Sequence, residues 1–159
     1  MAVSRASDAL QATGDVQQFR KSTDAALLSY QQALDLYRAV GARPGEANTY
    51  LSLGTIHGSQ NRVQEMHQHF QKALALYQAM DDQYSLGRAL AYYGDALSDL
   101  QDGEAVRQCY AKALSAWQAR GLDDLIVEHI MPRLVRACGS PEAAEAYLHE
   151  QLRRNGGVG

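Results

Sequence analysis

Proline is scarce in this 159-residue chain, at 3 positions, as are isoleucine, also at 3, and cysteine, at 2. With so few prolines, 46% hydrophobic and only 21% charged residues, the chain lacks the low hydrophobicity and high net charge of a disordered segment. Scarce β-branched residues argue against strands. Cys109 and Cys138 stand alone, with no Cys-x-x-Cys spacing, so neither a disulfide framework nor a thiolate metal site is expected and both read as small packing residues. No apolar run approaches the roughly 20 residues of a membrane span. Met1 to Gln11 carries neither the charged start nor the apolar middle of a signal peptide, and a cytoplasmic location is expected. A net charge of −3 with no basic run offers no general attraction for nucleic acid or anionic membranes. There is no Gly-x-Ser-x-Gly, no phosphate-cradling glycine loop, and no cysteine placed with a histidine in a catalytic pattern. No catalytic residue, metal or cofactor is therefore expected.

What the chain has instead is alanine, at 25 positions, and a repeat. Alanine favours helix and lets neighbouring helices approach closely. Tyr30 to Ala39 (YQQALDLYRA) recurs forty residues later as Phe70 to Ala79 (FQKALALYQA), and forty later again as Tyr110 to Ala119 (YAKALSAWQA). An aromatic, Ala-Leu three and four places on, and a second aromatic at the seventh place describe one helix face repeated at a fixed interval.

Each repeated segment follows a second helical stretch, with breakers where a helix pair needs its turns. The spacing predicts helices over about Ser4–Phe19, Thr23–Val40, Pro44–Ser59, Val63–Met80, Gln83–Leu100 and Glu104–Arg120. Gly41 and Gly121 suit left-handed C-caps, Pro44 suits a first helical turn, and the turns fall at Gln60-Asn61-Arg62 and Gln101-Asp102-Gly103. Thr23-Asp24, Asp81-Asp82 and Asp123-Asp124 read as caps or acidic first turns, stabilised by the helix dipole. Pro132 falls about nine residues into the next helix, which predicts a kink near Leu125 to Arg133. Ser140-Pro141 starts a last helix, to about Arg153, carrying Ala143, Ala144, Tyr147, Leu148 and Leu152. Asn155 to Gly159 is expected to be a loose tail.

Together these residues resemble the tetratricopeptide repeat family. Its run of a bulky residue, Leu-Gly, a second bulky residue, then a small residue, an aromatic and an alanine is followed by Tyr50, Leu53, Gly54, His57, Met66, Phe70 and Ala73, where Met66, like Val106 in the next unit, departs from the small residue. The next unit gives Leu90, Tyr93, Gly94, Leu97, Val106, Tyr110 and Ala113, and the first gives Leu10, Thr13, Gly14, Gln17, Ala26, Tyr30 and Ala33. The likeness covers about residues 7 to 137. The forty-residue unit is similar to the long repeats of kinesin light chains, spindle-orientation adaptors and multidomain bacterial signalling proteins. The resemblance implies an all-α, right-handed superhelical solenoid of about four antiparallel helix pairs (units about 7–46, 47–86, 87–126 and 127–154), the last pair atypical and capping. Glycines 14, 54 and 94 each cost up to about 1 kcal/mol against alanine inside a helix. They make sense if the second helix of a pair crosses the first there, with Tyr30, Phe70 and Tyr110 filling the space between units.

In that family the first helix of each pair lines the concave face. Transferred by position, this implies ligand-facing roles for Gln11, Asp15 and Gln18, then Asn48, Leu51, Ser52, Thr55 and Ser59, then Arg88, Ala91, Tyr92, Asp95 and Asp99, with Glu128, Met131 and Val135 following. The expected partner-binding set is Gln11, Asp15, Asn48, Ser52, Thr55, Arg88, Tyr92, Asp95 and Asp99. Of these only Arg88 has the charge of the clamp with which some family members grip a peptide's C-terminal carboxylate, so that mode is disfavoured. The acidic lean of Asp15, Asp95, Asp99 and Glu128 favours a basic or mixed-polarity peptide, with Tyr92 as a flat anchor. His67 and His69 near Glu65 do not suggest a metal, since i and i+2 point to different helix faces. Two expectations follow. The first is a non-catalytic module binding a peptide or protein segment in the groove of the first helices. The alternative is a self-associating or regulatory segment of a larger bacterial signalling protein, stacking through an open apolar edge at Leu10, Leu27 and Leu28.

Overall fold

The computed structural model describes residues 2–19, 22–100 and 102–156, without the side chains at 2, 17–19, 152 and 154–156. Gln17, Gln18, Phe19 and Leu152 as side chains, Gln101, and the tail at 157–159, all named above, thus fall outside the described residues. The helices are α1 (Ala2–Phe19), α2 (Thr23–Ala39), α3 (Arg43–Ser59), α4 (Val63–Ala79), α5 (Gln83–Ser98), α6 (Gly103–Gln118), α7 (Asp123–Leu125), α8 (Met131–Cys138) and α9 (Pro141–Gly156). A π-helical turn, Ile126–Ile130, joins α7 to α8, and no strand occurs among the described residues. The fold is all-α, with helices packed in consecutive pairs as in a tetratricopeptide-type solenoid. The chain divides into two compact units, Met1–Asp82 and Gln83–Gly159.

In the first unit α1 pairs with α2 and α3 with α4, while α2 packs on α3 and α1 touches α3. In the second, α5 pairs with α6, α6 packs on the π turn and α8, and α8 packs on α9. The turns between helices repeat one design. Gly41, Asn61, Asp81 and Gly121 each take a positive φ, between 53° and 67°. At each, the next residue's N–H donates five residues back, from Ala42 to Tyr37 at 2.9 Å, Arg62 to His57 at 2.9 Å, Asp82 to Tyr77 at 3.0 Å and Leu122 to Trp117 at 3.0 Å. These Schellman closures satisfy the last helical carbonyls and reverse the chain within three residues. Asp81 and Asp82 form the turn directly before α5, which begins at Gln83, so two carboxylates stand beside a helix N-terminus as expected, although none lies within its first turn. The expected start at Ser140 is as read, its Oγ accepting from the Ala143 N–H at 3.1 Å. The last helix continues past Arg153 to Gly156.

Gly14, Gly54 and Gly94 do mark helix crossings, but what lies over them differs from expectation. A Cβ on Gly14 would meet the Tyr30 ring at 2.6 Å, on Gly54 the Phe70 ring at 3.0 Å, and on Gly94 the Tyr110 ring at 2.5 Å. Each aromatic thus lies on the first helix of its own pair, where the missing side chain opens a slot for a flat ring, and Tyr30 also reaches the next unit, its hydroxyl meeting the side chain of Ser52 on α3. Tyr37 reaches onward as well, its ring covering Gly45 of α3. Ala33, Ala73 and Ala113 are fully buried beside the crossings.

The expected kink at Pro132 is a π-helical turn. The Met131 N–H reaches Ile126 O, five residues back. Pro132 has no N–H for the carbonyl four residues before it and its ring crowds that carbonyl, so widening the preceding turn relieves both problems. The core survives the change, with Ile130 and Leu134 fully buried.

Candidate functional site

The polar residues of α1, α3 and α5 are held from below by hydroxyls of their partner helices. Tyr30 donates to Asp15 Oδ1 at 2.6 Å, and Tyr110 to Asp95 Oδ1 at 2.9 Å, each pair fifteen residues apart. Tyr37 donates to Asp8 Oδ1 at 2.9 Å and Tyr77 to Asn48 Oδ1 at 2.7 Å, each twenty-nine apart. A buried phenol needs an acceptor, and the repeat supplies one from the facing helix. Where the aromatic has no hydroxyl the acceptor disappears as well: Phe70 faces Thr55 at the Asp15/Asp95 position, and Thr55 donates to its own helix at Leu51 O, 2.9 Å. Trp117, in the place of Tyr37 and Tyr77, donates its indole N–H to Tyr84 O at 2.9 Å, and the facing position carries Arg88. Burial first and the Asp15 carboxylate second raise the Tyr30 hydroxyl far above its ordinary range, and Tyr110 is raised likewise by burial and Asp95. Burial and Asp8 push Tyr37 up to about 12. All three stay protonated donors.

This changes the standing of the expected ligand-facing residues. In the first unit the structure brings Gln11, Asp15 and Ser52 together: the Gln11 amide lies 3.3 Å from both Asp15 Oδ1 and Ser52 Oγ, and its oxygen accepts from Thr49 Oγ1 at 2.6 Å. Asn48 stands apart on Tyr77, and Thr55 on its own backbone. Much of their hydrogen-bonding capacity is used inside the fold.

In the second unit Asp95 and Asp99 share an open cleft of about 690 Å³. Its walls are the end of α5 (Asp95, Ser98) with Asp99 directly after it, and the π turn with α8 (Glu128, His129, Pro132, Arg133, Arg136, Ala137), and Gly103, Val106 and Tyr110 of α6 complete its lining. Arg133 bridges the walls, its Nε 2.9 Å from Asp95 Oδ1 and its Nη2 3.0 Å from Oδ2, a fork-on-carboxylate pair. Its Nη1 donates to His129 O at 2.7 Å, capping a carbonyl beside the π turn. The bond to Asp95 holds the guanidinium pKa above its usual value. Both partners are partly open to solvent, with side chains 29% and 40% exposed. Arg88 and Tyr92, also on α5, do not line this cleft; Arg88 is half-buried and Tyr92 is 42% exposed.

Arg133 and Arg136 escaped the sequence reading. The available sign was Arg133 itself, which falls where the earlier repeats carry Leu53 and Tyr93, with Arg136 one turn further on. His57, expected as a bulky residue of its repeat, is buried as such, but its ring contact was not anticipated. It stacks on His69 with centroids 5.1 Å apart and planes 8° from parallel, and His69 in turn lies 5.7 Å from the Tyr50 ring. Arg38 and Lys72 each sit 5.3 Å from the Tyr50 centroid, and Arg38 also donates to the Tyr50 hydroxyl and pairs with Glu46 at 3.0 Å. Parallel stacked imidazoles aim their ring nitrogens in separate planes and cannot converge on one ion. Among the described residues no group of three or more His, Cys, Asp or Glu is placed to hold a metal. Nor is any described helix long and apolar enough to cross a membrane.

Comparison with known proteins gives one family match: residues 6–79, which span α1 to α4, fit the model of the tetratricopeptide repeat. No curated protein matches the chain.

Proposed function

We infer, from the tetratricopeptide repeats that residues 6–79 form and from the contacts between proteins that such repeats mediate, that this chain is a non-catalytic interaction module gripping a peptide or protein segment on its first-helix surfaces. The family is typically not catalytic. The observation that carries the reading is the cleft of the second unit. It is open, polar, walled by α5 and α8, and of a size that fits a few side chains of an extended or helical segment. Asp99 and Glu128 contribute the acidic lean that favours a basic or mixed-polarity ligand, while Asp95 is neutralised by Arg133. Tyr92, exposed on α5, is the flat anchor. In the first unit the corresponding surface is α3, with Asn48, Ser52 and Thr55. Selection of a displayed random-peptide library on the intact chain, followed by affinity measurement with Tyr92→Ala and Asp99→Asn, tests the reading. Losses of about tenfold or more are expected, and segments whose affinity ignores both substitutions would displace the site from this surface.

A second reading, self-association or docking within a larger bacterial signalling protein, is favoured by one feature. Leu28 on α2 is 62% exposed and Val16 on α1 is 51% exposed, at the outer pair of the first unit. Sedimentation equilibrium discriminates, since a strictly monomeric chain at high concentration removes the self-associating form.

A further inference from the structure

The cleft of the second unit sets carboxylates at the end of α5 against the arginines of α8, with Glu128 and His129 of the π turn beside them, and one Asp–Arg rung between the walls is closed. Two chain reversals separate α5 from α8, so the two helices run in the same direction. Arg133 of one wall clasps Asp95 of the other at 2.9 Å. Asp99 lies four residues beyond Asp95, in the turn directly after α5, and Arg136 three beyond Arg133, one turn further along α8. Both line the same cleft, both are exposed, and no direct bond joins them. Val106, Tyr110 and Pro132 give the space between a partly apolar lining.

We propose that this open second rung, Asp99 with Arg136, is a receptor for a pair of oppositely charged side chains on a polypeptide partner, its cation meeting Asp99 and its carboxylate meeting Arg136. The inference rests on the interaction reading above and specifies the ligand. The closed rung shows what the walls exchange: a fork-shaped guanidinium from α8 matched to a carboxylate from α5. A ligand carrying one charge only would pair with Asp99 or with Arg136 and leave the other without a counterpart, with its own charge held near that like charge, which selects against it. The first rung has a positioning role, fixing the spacing of the walls, and is not displaced.

The test uses three fluorescein-labelled twelve-residue peptides, in which Ala and Tyr are combined with Glu and Lys, with Lys and Gln, or with Glu and Gln, read by fluorescence polarisation on the full chain. The mixed peptide should bind at least tenfold tighter than either single-sign peptide, and this comparison requires no variant. Asp99→Asn should reduce the mixed peptide to the affinity of the Glu/Gln peptide, and Arg136→Gln to that of the Lys/Gln peptide. If the Lys/Gln peptide binds as well as the mixed one and Arg136→Gln changes nothing, the cleft is an acidic patch only and the proposal is overturned. If none of the three binds while library-selected segments still do, the proposal fails and the interaction reading stands. If no segment of any composition binds, both fail.

Discussion

Alanine substitution at the three crossing glycines should give two different results from one chemical change. Replacing glycine inside a helix by alanine gains up to about 1 kcal/mol of propensity. Against this stands the ring each new Cβ meets, at 2.6 Å over Gly14, 3.0 Å over Gly54 and 2.5 Å over Gly94, where ordinary contact begins near 3.5 Å. Overpacking of this kind costs about 1–3 kcal/mol when the neighbour cannot yield. Whether it yields depends on its tether. Tyr30 and Tyr110 are pinned at their hydroxyls by Asp15 and Asp95, at 2.6 and 2.9 Å, so moving the ring also sacrifices a hydrogen bond worth about 1 kcal/mol. Phe70 has no such tether. Gly14→Ala and Gly94→Ala are therefore expected to lose about 1–3 kcal/mol net, and Gly54→Ala to stay within about 1 kcal/mol of wild type, in either direction. Urea unfolding followed by circular dichroism reads the differences, and Gly14 against Gly54 is the cleanest comparison because both lie in the first unit. A Gly54→Ala loss equal to or greater than that of Gly14→Ala would refute the tether argument.

The hydroxyl–acceptor pairing makes a second prediction. Phe70→Tyr alone buries an unsatisfied hydroxyl and should cost about 1–3 kcal/mol, whereas Phe70→Tyr with Thr55→Asp recreates the Asp15–Tyr30 pair and should recover most of it; a cycle with no coupling would contradict the pairing. Acid should weaken the first unit through the stacked histidines. His69 is pushed down to about 4, by burial first and then by His57 and Lys72, and His57 is lowered by its own burial and Arg62. Because the unfolded chain binds these protons more tightly, this contribution to stability is whole above about pH 6.5 and is lost as pH falls toward 4, amounting to about 1–2 kcal/mol once screening at a half-buried site is allowed for. His69→Phe should flatten urea midpoints measured between pH 7.5 and 4, and parallel curves for variant and wild type would exclude the histidine origin. Arg133→Lys keeps the charge but not the fork, and should lower the stability of the second unit by about 1 kcal/mol in thermal melts, with no change being the contrary result.

Much of the fold was legible because it is written in spacing. The forty-residue recurrence of Tyr30, Phe70 and Tyr110, and of the glycines opposite them, specifies paired helices before any contact is known. Two turns were less plain. Gly41 and Gly121 announce a left-handed residue, while Asn61 and Asp81 take the same conformation with a side chain that tolerates it less readily, so residue type alone does not announce it. Pro132 announced an irregularity without specifying that one extra residue per turn would absorb it. The candidate surface was legible by position only. Asp15 and Asp95 lie where the resemblance leads one to expect ligand-facing residues, yet buried tyrosines claim their carboxylates, a demand visible only when the two helices of a pair are compared residue by residue. The Asp95–Arg133 bridge spans thirty-eight residues and joins two repeats, beyond the reach of any local pattern.

The most direct measurement for the central claim is an amide chemical-shift map of the isotopically labelled chain with a library-selected peptide. The account predicts that the largest changes fall on α5, the π turn and α8, around Tyr92, Asp99 and Arg136, with α3 around Asn48 and Thr55 as the first unit's counterpart. Changes confined to the second helices, α4 and α6, around residues such as Gln71, Lys72 and Ser115, would contradict it.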